Sequence, residues 1–330
     1  MKEQKNIELL EQAVKEHAFI RNISRHRNVD GLLDFDGNLR IWNKGMEPFE
    51  KMKLWEVTPG FDDRDPRQEE PCLIFVPVEE KEVKDTIIVC HGGGFRWRTG
   101  CEGPNVALEF HKRGYNTAIL SYRIDPYSRM DCLKDLQRAI RLLRSKKEEL
   151  HISNRIIVMG FSAGGMLCAN SATHFDEGKE NDEDFVERFS ARPDAAVIAY
   201  GAMTGVSFPL PFGMEPDFEH DMMGKSKEER YYLAPEKNVT PQTPPMFIWQ
   251  TLSDDGRFGM CLAKELQDAG VPYELHIMEG GVHGLGIADG ENDLAVKAPH
   301  IRHWVELCDE WLEIHKYCRG TDKAASKEIK

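Results

Sequence analysis

Gly160-Phe161-Ser162-Ala163-Gly164 sets one serine between small residues. The strand-like run Arg155–Met159 precedes it, and a helix-like pattern through Leu167 and Ala169 follows. In so tight a strand–turn–helix corner the backbone nearly meets itself. Small residues relieve the clash and leave the serine oxygen exposed as a nucleophile. A capping serine at an ordinary strand–helix turn shares part of this pattern, so the motif needs partners. His91-Gly92-Gly93-Gly94-Phe95 supplies one: its glycines let the backbone approach a substrate and aim N–H groups at an oxyanion. This loop has neither the G-x-G-x-x-G spacing nor the lysine of a phosphate cradle. An acid and a base are expected downstream, in the order serine, acid, histidine. Ser253-Asp254-Asp255 follows the run Pro245–Thr251, and Gly280-Gly281-Val282-His283-Gly284 follows Tyr273–Met278. The chemistry implied is acyl transfer: His283 takes the proton of Ser162, and an aspartate of the downstream pair holds the imidazole in the right tautomer. His300 and His303 suggest a metal pair, but no carboxylate cluster accompanies them. Neither a metal nor an organic cofactor is expected.

To converge, these residues must lie along one edge of a sheet. Cys72–Val78, Thr86–Cys90, Thr117–Tyr122, Arg155–Gly160, Ala195–Tyr200, Pro245–Thr251 and Tyr273–Met278 read as strands, rich in Val, Ile and aromatics and without helical period. Between them, Leu133, Leu136, Ile140 and Leu143 share a helical face, and Ile301, Trp304, Val305, Cys308, Trp311 and Leu312 make another apolar stripe. This alternation predicts an α/β protein with a mostly parallel sheet covered on both faces. The candidate residues then fall at the carboxyl ends of strands, where open α/β sheets place their sites.

Two segments break the rhythm. Residues 1–50 predict an N-terminal arm: a helix carrying Ile7, Leu10, Val14 and Ala18, then a hairpin turning at Asp36-Gly37-Asn38. Such an arm suits a dimer contact, so a homo-oligomer is one expectation. Asp30, Asp34 and Asp36 lack the spacing and closing glutamate of a calcium loop. The insert Thr204–Thr240 opens with Phe208, Pro209, Pro211, Phe212 and Met214 and reads as a lid or binding element. Phe208 and Phe212, with Phe95 and Trp97 beside the glycine loop, are candidate substrate contacts. Asp176–Glu187 reads as a solvated acidic loop, and residues 319–330 as a frayed tail.

Composition removes several classes. Hydrophobic residues are 41% of the 330, enough for a sizeable core, and charged residues are 30%. No apolar run approaches the roughly 18 residues of a membrane span. A net charge of −13 disfavours nucleic acid as a partner. Met1–Ile20 is polar and has no apolar signal core, which points to the cytoplasm. The eight cysteines form no C-x-x-C pair and are expected as buried free thiols.

Taken together, His91–Phe95, Asp135–Arg141, Val158–Gly165, Val239–Pro245 and Gly281–Leu285 resemble the bacterial acetyl esterase and lipase group of α/β hydrolases. The likeness is strongest to the branch of acetylxylan and xylanase-associated esterases, and it runs from about Met52 to Trp311. It implies an α/β-hydrolase domain over 51–318, with 204–240 as its lid-like insert. The family's W-H-T-x-x-D corresponds to Trp249-Gln250-Thr251-Leu252-Ser253-Asp254, which implies Asp254 rather than Asp255 as the acid. Gln250 replaces the usual histidine, a departure that bears on substrate contacts. The implied machinery is Ser162, Asp254 and His283, with the N–H groups of Gly93, Gly94 and Ala163 as the oxyanion hole. The implied substrate is a small-molecule ester, an acetyl group on a sugar. A general short-chain carboxylesterase is the alternative. A catalytically inactive ligand receptor of the same fold is the alternative of another class, and such receptors typically lose a triad member.

Overall fold

Strand residues of alternating orientation face two separate apolar layers. The computed structural model describes residues 3–16, 34–61, 65–78, 84–201, 204–207, 224–291 and 296–315. Its strands are β1 (Met52–Lys53), β2 (Cys72–Val76), β3 (Lys84–Cys90), β4 (Asn116–Ser121), β5 (Ile152–Phe161), β6 (Ala195–Ala199), β7 (Met246–Thr251) and β8 (Tyr273–Met278). They form one sheet in the order β1-β2-β4-β3-β5-β6-β7-β8. β2 runs antiparallel to both its neighbours, and the ladder from β4 through β8 is parallel. The seven expected strands are all present, with ends shifted by up to three residues, and β1 is an addition.

The helices are α1 (Glu3–Glu16), α2 (Phe35–Met46), α3 (Pro104–Lys112), α4 (Arg129–Ser145), α5 (Lys147–Leu150), α6 (Ala163–Thr173), α7 (Lys227–Leu233), α8 (Arg257–Asp268), α9 (Pro299–Arg302) and α10 (Trp304–Ile314). On one face, Ile88, Val158, Ile198 and Ile248 pack with Leu136 and Ile140 of α4, Leu167 of α6 and Leu262 of α8. On the other, Val89, Met159, Val197 and Trp249 pack with Trp42 of α2, Phe110 of α3 and Trp304 of α10. Each such side chain, fully buried, contributes about 1.5–3 kcal/mol. That double coverage is why the strands read as continuous apolar runs rather than alternating ones.

Residues 35–46 form a helix, not the expected hairpin. Asp34 is its N-cap and accepts the Gly37 N–H at 2.9 Å, so Asp36-Gly37-Asn38 is the first helical turn. Leu39, Trp42 and Met46 recur at helical spacing and are buried, and this burial outweighs the turn propensity of the Asp-Gly-Asn run. α1 also lies on its own chain: Asn6 donates to the carbonyls of Glu50 and Phe75 and accepts the Glu50 N–H.

The acidic loop is exposed over most of its length, as expected, and is also tethered at three of its carboxylates. α4, opened by a capping box of Ser128 and Asp131, presents a row of arginines. Arg138 meets Asp184 and Glu187, each at 2.7 Å, Arg141 meets Asp176 at 2.5 Å, and Arg144 meets Asp194 at 2.6 Å. Of the insert, residues 204–207 and 224–240 are described. Glu236, buried, accepts the hydroxyls of Thr204 and Ser207, both at 2.6 Å, and so ties the insert's start to its end. Cys72, Cys90, Cys101, Cys132, Cys168, Cys261 and Cys308 are free thiols, all but Cys261 buried. No described helix is long and apolar enough to cross a membrane.

Candidate active site

The parallel register brings Cys90, Gly160 and Ile198 into line, then Phe161, Ala199 and Trp249 one step further. The residues that follow these strand ends therefore share one edge of the sheet. Ser162 leaves β5 at φ 51° and ψ −119°, outside the regions an L-residue prefers. This conformation stores about 1–3 kcal/mol of strain. Its N–H is tied to the Ala199 carbonyl at 3.0 Å, and α6 begins at Ala163. Glycines make the corner possible. A Cβ on Gly160 would overlap the Gly164 carbonyl, and one on Gly164 would overlap the Cys90 and His91 carbonyls. Gly165 and Gly201 are as tight against each other, with 2.5 Å from a Gly201 Cβ to the Gly165 Cα.

Ser162 Oγ lies 2.8 Å from His283 Nε2, and His283 Nδ1 lies 2.5 Å from Asp254 Oδ1. Asp254 Oδ2 accepts the Thr251 hydroxyl at 3.0 Å, which leaves the carboxylate a single orientation. Asp254 is nearly buried, 9% exposed, whereas 48% of the His283 side chain is open. Burial of the His283 ring works against its charged form. The Asp254 hydrogen bond and charge, joined by the Glu102 charge, outweigh it and hold the pKa above the ordinary 6.5.

The glycine loop lies beside the serine. Gly93, Gly94 and Phe95 all have positive φ, 111°, 59° and 59°. The Gly93 carbonyl accepts the N–H groups of Arg96 and Trp97, and a Cβ on Gly93 would overlap the Trp97 carbonyl. Ala163 is the first residue of α6, so its N–H has no partner within the helix. His91 is fully buried, its ring stacked on Tyr122 at 4.4 Å and tilted against Trp42 at 5.0 Å. Burial and the neighbouring Arg98 charge hold its pKa down to about 3, and its Nδ1–H donates to the Gly92 carbonyl at 2.6 Å.

The structure thus joins Ser162, His283 and Asp254 in one hydrogen-bonded line, with Ala163 next to the serine and the glycine loop against it at Gly92. Asp255 is outside that line and pairs with Arg257. Gln250 is buried and donates to the Asp255 carbonyl at 2.8 Å, so it braces the acid loop from within. Phe95 is buried between Tyr122 and the Arg129 guanidinium, which lies 4.0 Å over its ring. Trp97 is half-buried and packs on Phe35 of α2 at 5.5 Å. Phe208 and Phe212 lie outside the described residues.

Sequence reasoning missed the residues that brace the glycine loop. Asn38 of α2 accepts the Arg98 N–H and donates to the Arg98 carbonyl, both at 3.0 Å. Glu102 and Tyr200 reach the same loop from the side of α3 and from the end of β6. An acid within the mostly apolar Gly100–Val106 stretch was the one visible hint of Glu102; nothing local marks Asn38.

The BD-FAE family profile matches residues 73–268 of the chain. Over 230 residues the chain is 32% identical to endo-1,4-beta-xylanase B of Butyrivibrio fibrisolvens, an alignment covering 66% of this chain and 35% of the xylanase. The chain therefore spans about a third of that relative's length. The acetyl ester-xyloside bifunctional hydrolase of Caldicellulosiruptor lactoaceticus is 34% identical, with a TM-score of 0.74 over 81% of this chain and 97% of that one. The thermophilic esterase Est2 of Thermogutta terrifontis, at 21% identity and a TM-score of 0.60 over 83% of this chain and 96% of its own, shares the fold alone. The family match across most of the sheet and the strand order around the serine corner lead to one conclusion: the chain belongs to the BD-FAE family and has the α/β-hydrolase fold.

Proposed function

We propose that this chain is a serine esterase that removes acetyl groups from acetylated oligosaccharides through an acyl-enzyme. The observation that carries this reading is the line Asp254–His283–Ser162, closed at 2.5 and 2.8 Å with the serine strained outward. Ser162 Oγ attacks the ester carbon as His283 Nε2 accepts its proton. Asp254 holds the Nδ1–H tautomer and stabilises the imidazolium. The N–H groups of Gly93, Gly94 and Ala163 receive the oxyanion. His283 returns the proton to the departing sugar oxygen, leaving acetyl-Ser162. Water, reaching His283 from its open side, gives it a proton and attacks the acyl carbon; His283 returns that proton to Ser162 Oγ as the acyl bond breaks and acetate leaves. The complete line argues against a ligand receptor that has lost its chemistry.

The sugar ester is supported by the likeness to the acetyl ester-xyloside hydrolase, which extends over nearly the whole of that enzyme. Phe95 and Trp97, with Phe208 and Phe212 of the insert, are proposed to wall a small acyl pocket. The test is turnover of acetylated xylo-oligosaccharides against aryl esters of rising chain length. Acetyl esters are expected to lead hexanoyl esters by about tenfold or more in kcat/KM, the scale of a steric mismatch. Equal rates on long esters would replace this reading with a general short-chain carboxylesterase. Ser162→Ala is expected to abolish turnover while leaving the thermal transition in place. Substantial esterase activity in that variant would overturn the serine assignment.

A further inference from the structure

Glu102, in the loop ahead of α3, is 1% exposed and has no part in the steps above. Its Oε2 accepts the Thr99 hydroxyl at 2.5 Å and the Gly92 N–H at 3.1 Å. Its Oε1 accepts the Tyr200 hydroxyl at 2.7 Å. The Tyr200 oxygen in turn accepts the Gly286 N–H at 2.9 Å. One carboxylate thereby connects the glycine loop, the end of β6 and the loop that carries His283. A Cβ on Gly92 would overlap this carboxylate and lie 3.1 Å from Ser162 Cβ, and a Cβ on Gly284 would lie 4.0 Å from Glu102 Oε1. The Tyr200 ring meets the His283 ring edge-on at 5.0 Å. Among the described residues no lysine or arginine pairs with Glu102. A buried carboxylate without a cation is costly. Its charge acts on the His283 ring, which becomes an imidazolium when Ser162 gives up its proton.

We propose that the Glu102 carboxylate is a positioning group that holds the glycine loop and the His283 loop in one register and stabilises the transient imidazolium with its charge. The proposal rests on the serine reading above. Glu102 and Cys101 face Tyr200, and burial and then the Glu102 charge push the Tyr200 hydroxyl well above its ordinary value. The titratable groups facing His283 are Asp254, Glu102 and Tyr200.

The test is Glu102→Gln, which keeps the shape and removes the charge. It is read by kcat/KM against pH on an acetyl ester, and by NMR titration of the His283 imidazole, identified as the signal lost in His283→Asn. The imidazole midpoint is expected to fall by about 1 pH unit, and the plateau kcat by about tenfold. Glu102→Asp, which keeps the charge, should restore the midpoint. Tyr200→Phe, which keeps the carboxylate but breaks the link to Gly286, should lower kcat and leave the midpoint near wild type. An unmoved midpoint in Glu102→Gln, whatever happens to activity or melting temperature, overturns the electrostatic role and leaves only a structural one. The NMR titration can be repeated in Ser162→Ala, so it judges Glu102 without turnover. Failure of the serine reading would show separately, as turnover that survives Ser162→Ala.

Discussion

Asp254 meets His283 Nδ1 and the Thr251 hydroxyl, while Asp255, at φ 59°, turns its carboxylate to Arg257 on the surface. Asp254→Asn should therefore lower kcat by about 10⁴, the scale seen when a triad acid no longer fixes the histidine tautomer. Asp255→Asn should cost far less, because an exposed ion pair contributes little. Steady-state kinetics on the two variants check this, and the reverse ranking would move the acid by one residue. The same pair sets the pH response. His283 must be neutral to act as base, and Asp254 and Glu102 hold its pKa above 6.5. Activity should rise with pH along a limb centred above 6.5, and kcat/KM measured from acid to alkaline pH gives that centre. A limb complete well below 6.5 would contradict the pairing.

The element that most changes the picture of the site is α2. It buries Trp42 against His91, packs Phe35 on Trp97 and holds Arg98 through both polar atoms of the Asn38 amide. The glycine loop is thus braced by a helix that the chain lays down some fifty residues earlier. Asn38→Ala removes two buried hydrogen bonds and should cost about 1–3 kcal/mol. kcat should fall by more than KM rises, because in the proposed mechanism the loop receives the oxyanion of the transition state. Denaturant unfolding and Michaelis kinetics report the two effects, and a change in KM alone would count against the bracing. This arrangement was illegible in the sequence for a physical reason. Asp36-Gly37-Asn38 carries strong local turn chemistry, and the helix it starts is stabilised by contacts with residues near 91–98 and 121. The exposure of the acidic loop was legible, but its arginine partners on α4 were not, for the same reason. The strands and the corner that carries Ser162 were legible because their signals are local: a tight turn, a glycine run and apolar blocks of strand length, whereas Asp254 was told from Asp255 only through the family resemblance.

At the scale of the whole molecule, His91 touches both apolar layers, stacking on Tyr122 of one and Trp42 of the other. Burial, then the Arg98 charge, hold its pKa to about 3 against 6.5 when unfolded. The unfolded chain therefore takes up a proton below 6.5 that the folded chain refuses. The resulting stability is present above 6.5 and is lost as pH falls towards 3, by up to about 1.4 kcal/mol per pH unit. Urea unfolding at pH 7.5 and pH 5 should show this loss, and His91→Asn should flatten it. An unchanged slope would mean that His91 does not govern acid sensitivity. The serine corner has a consequence of another kind. At Gly160, Gly164, Gly165 and Gly201 the backbones of the β3, β5 and β6 ends and of α6 touch one another, with no room for any side chain. A saturation library would find no second solution at these four positions, and none could be recruited to tune selectivity. At Trp97, which leans on Phe35, a side chain rather than a backbone sets the spacing, so a substitution there meets a partner that can repack.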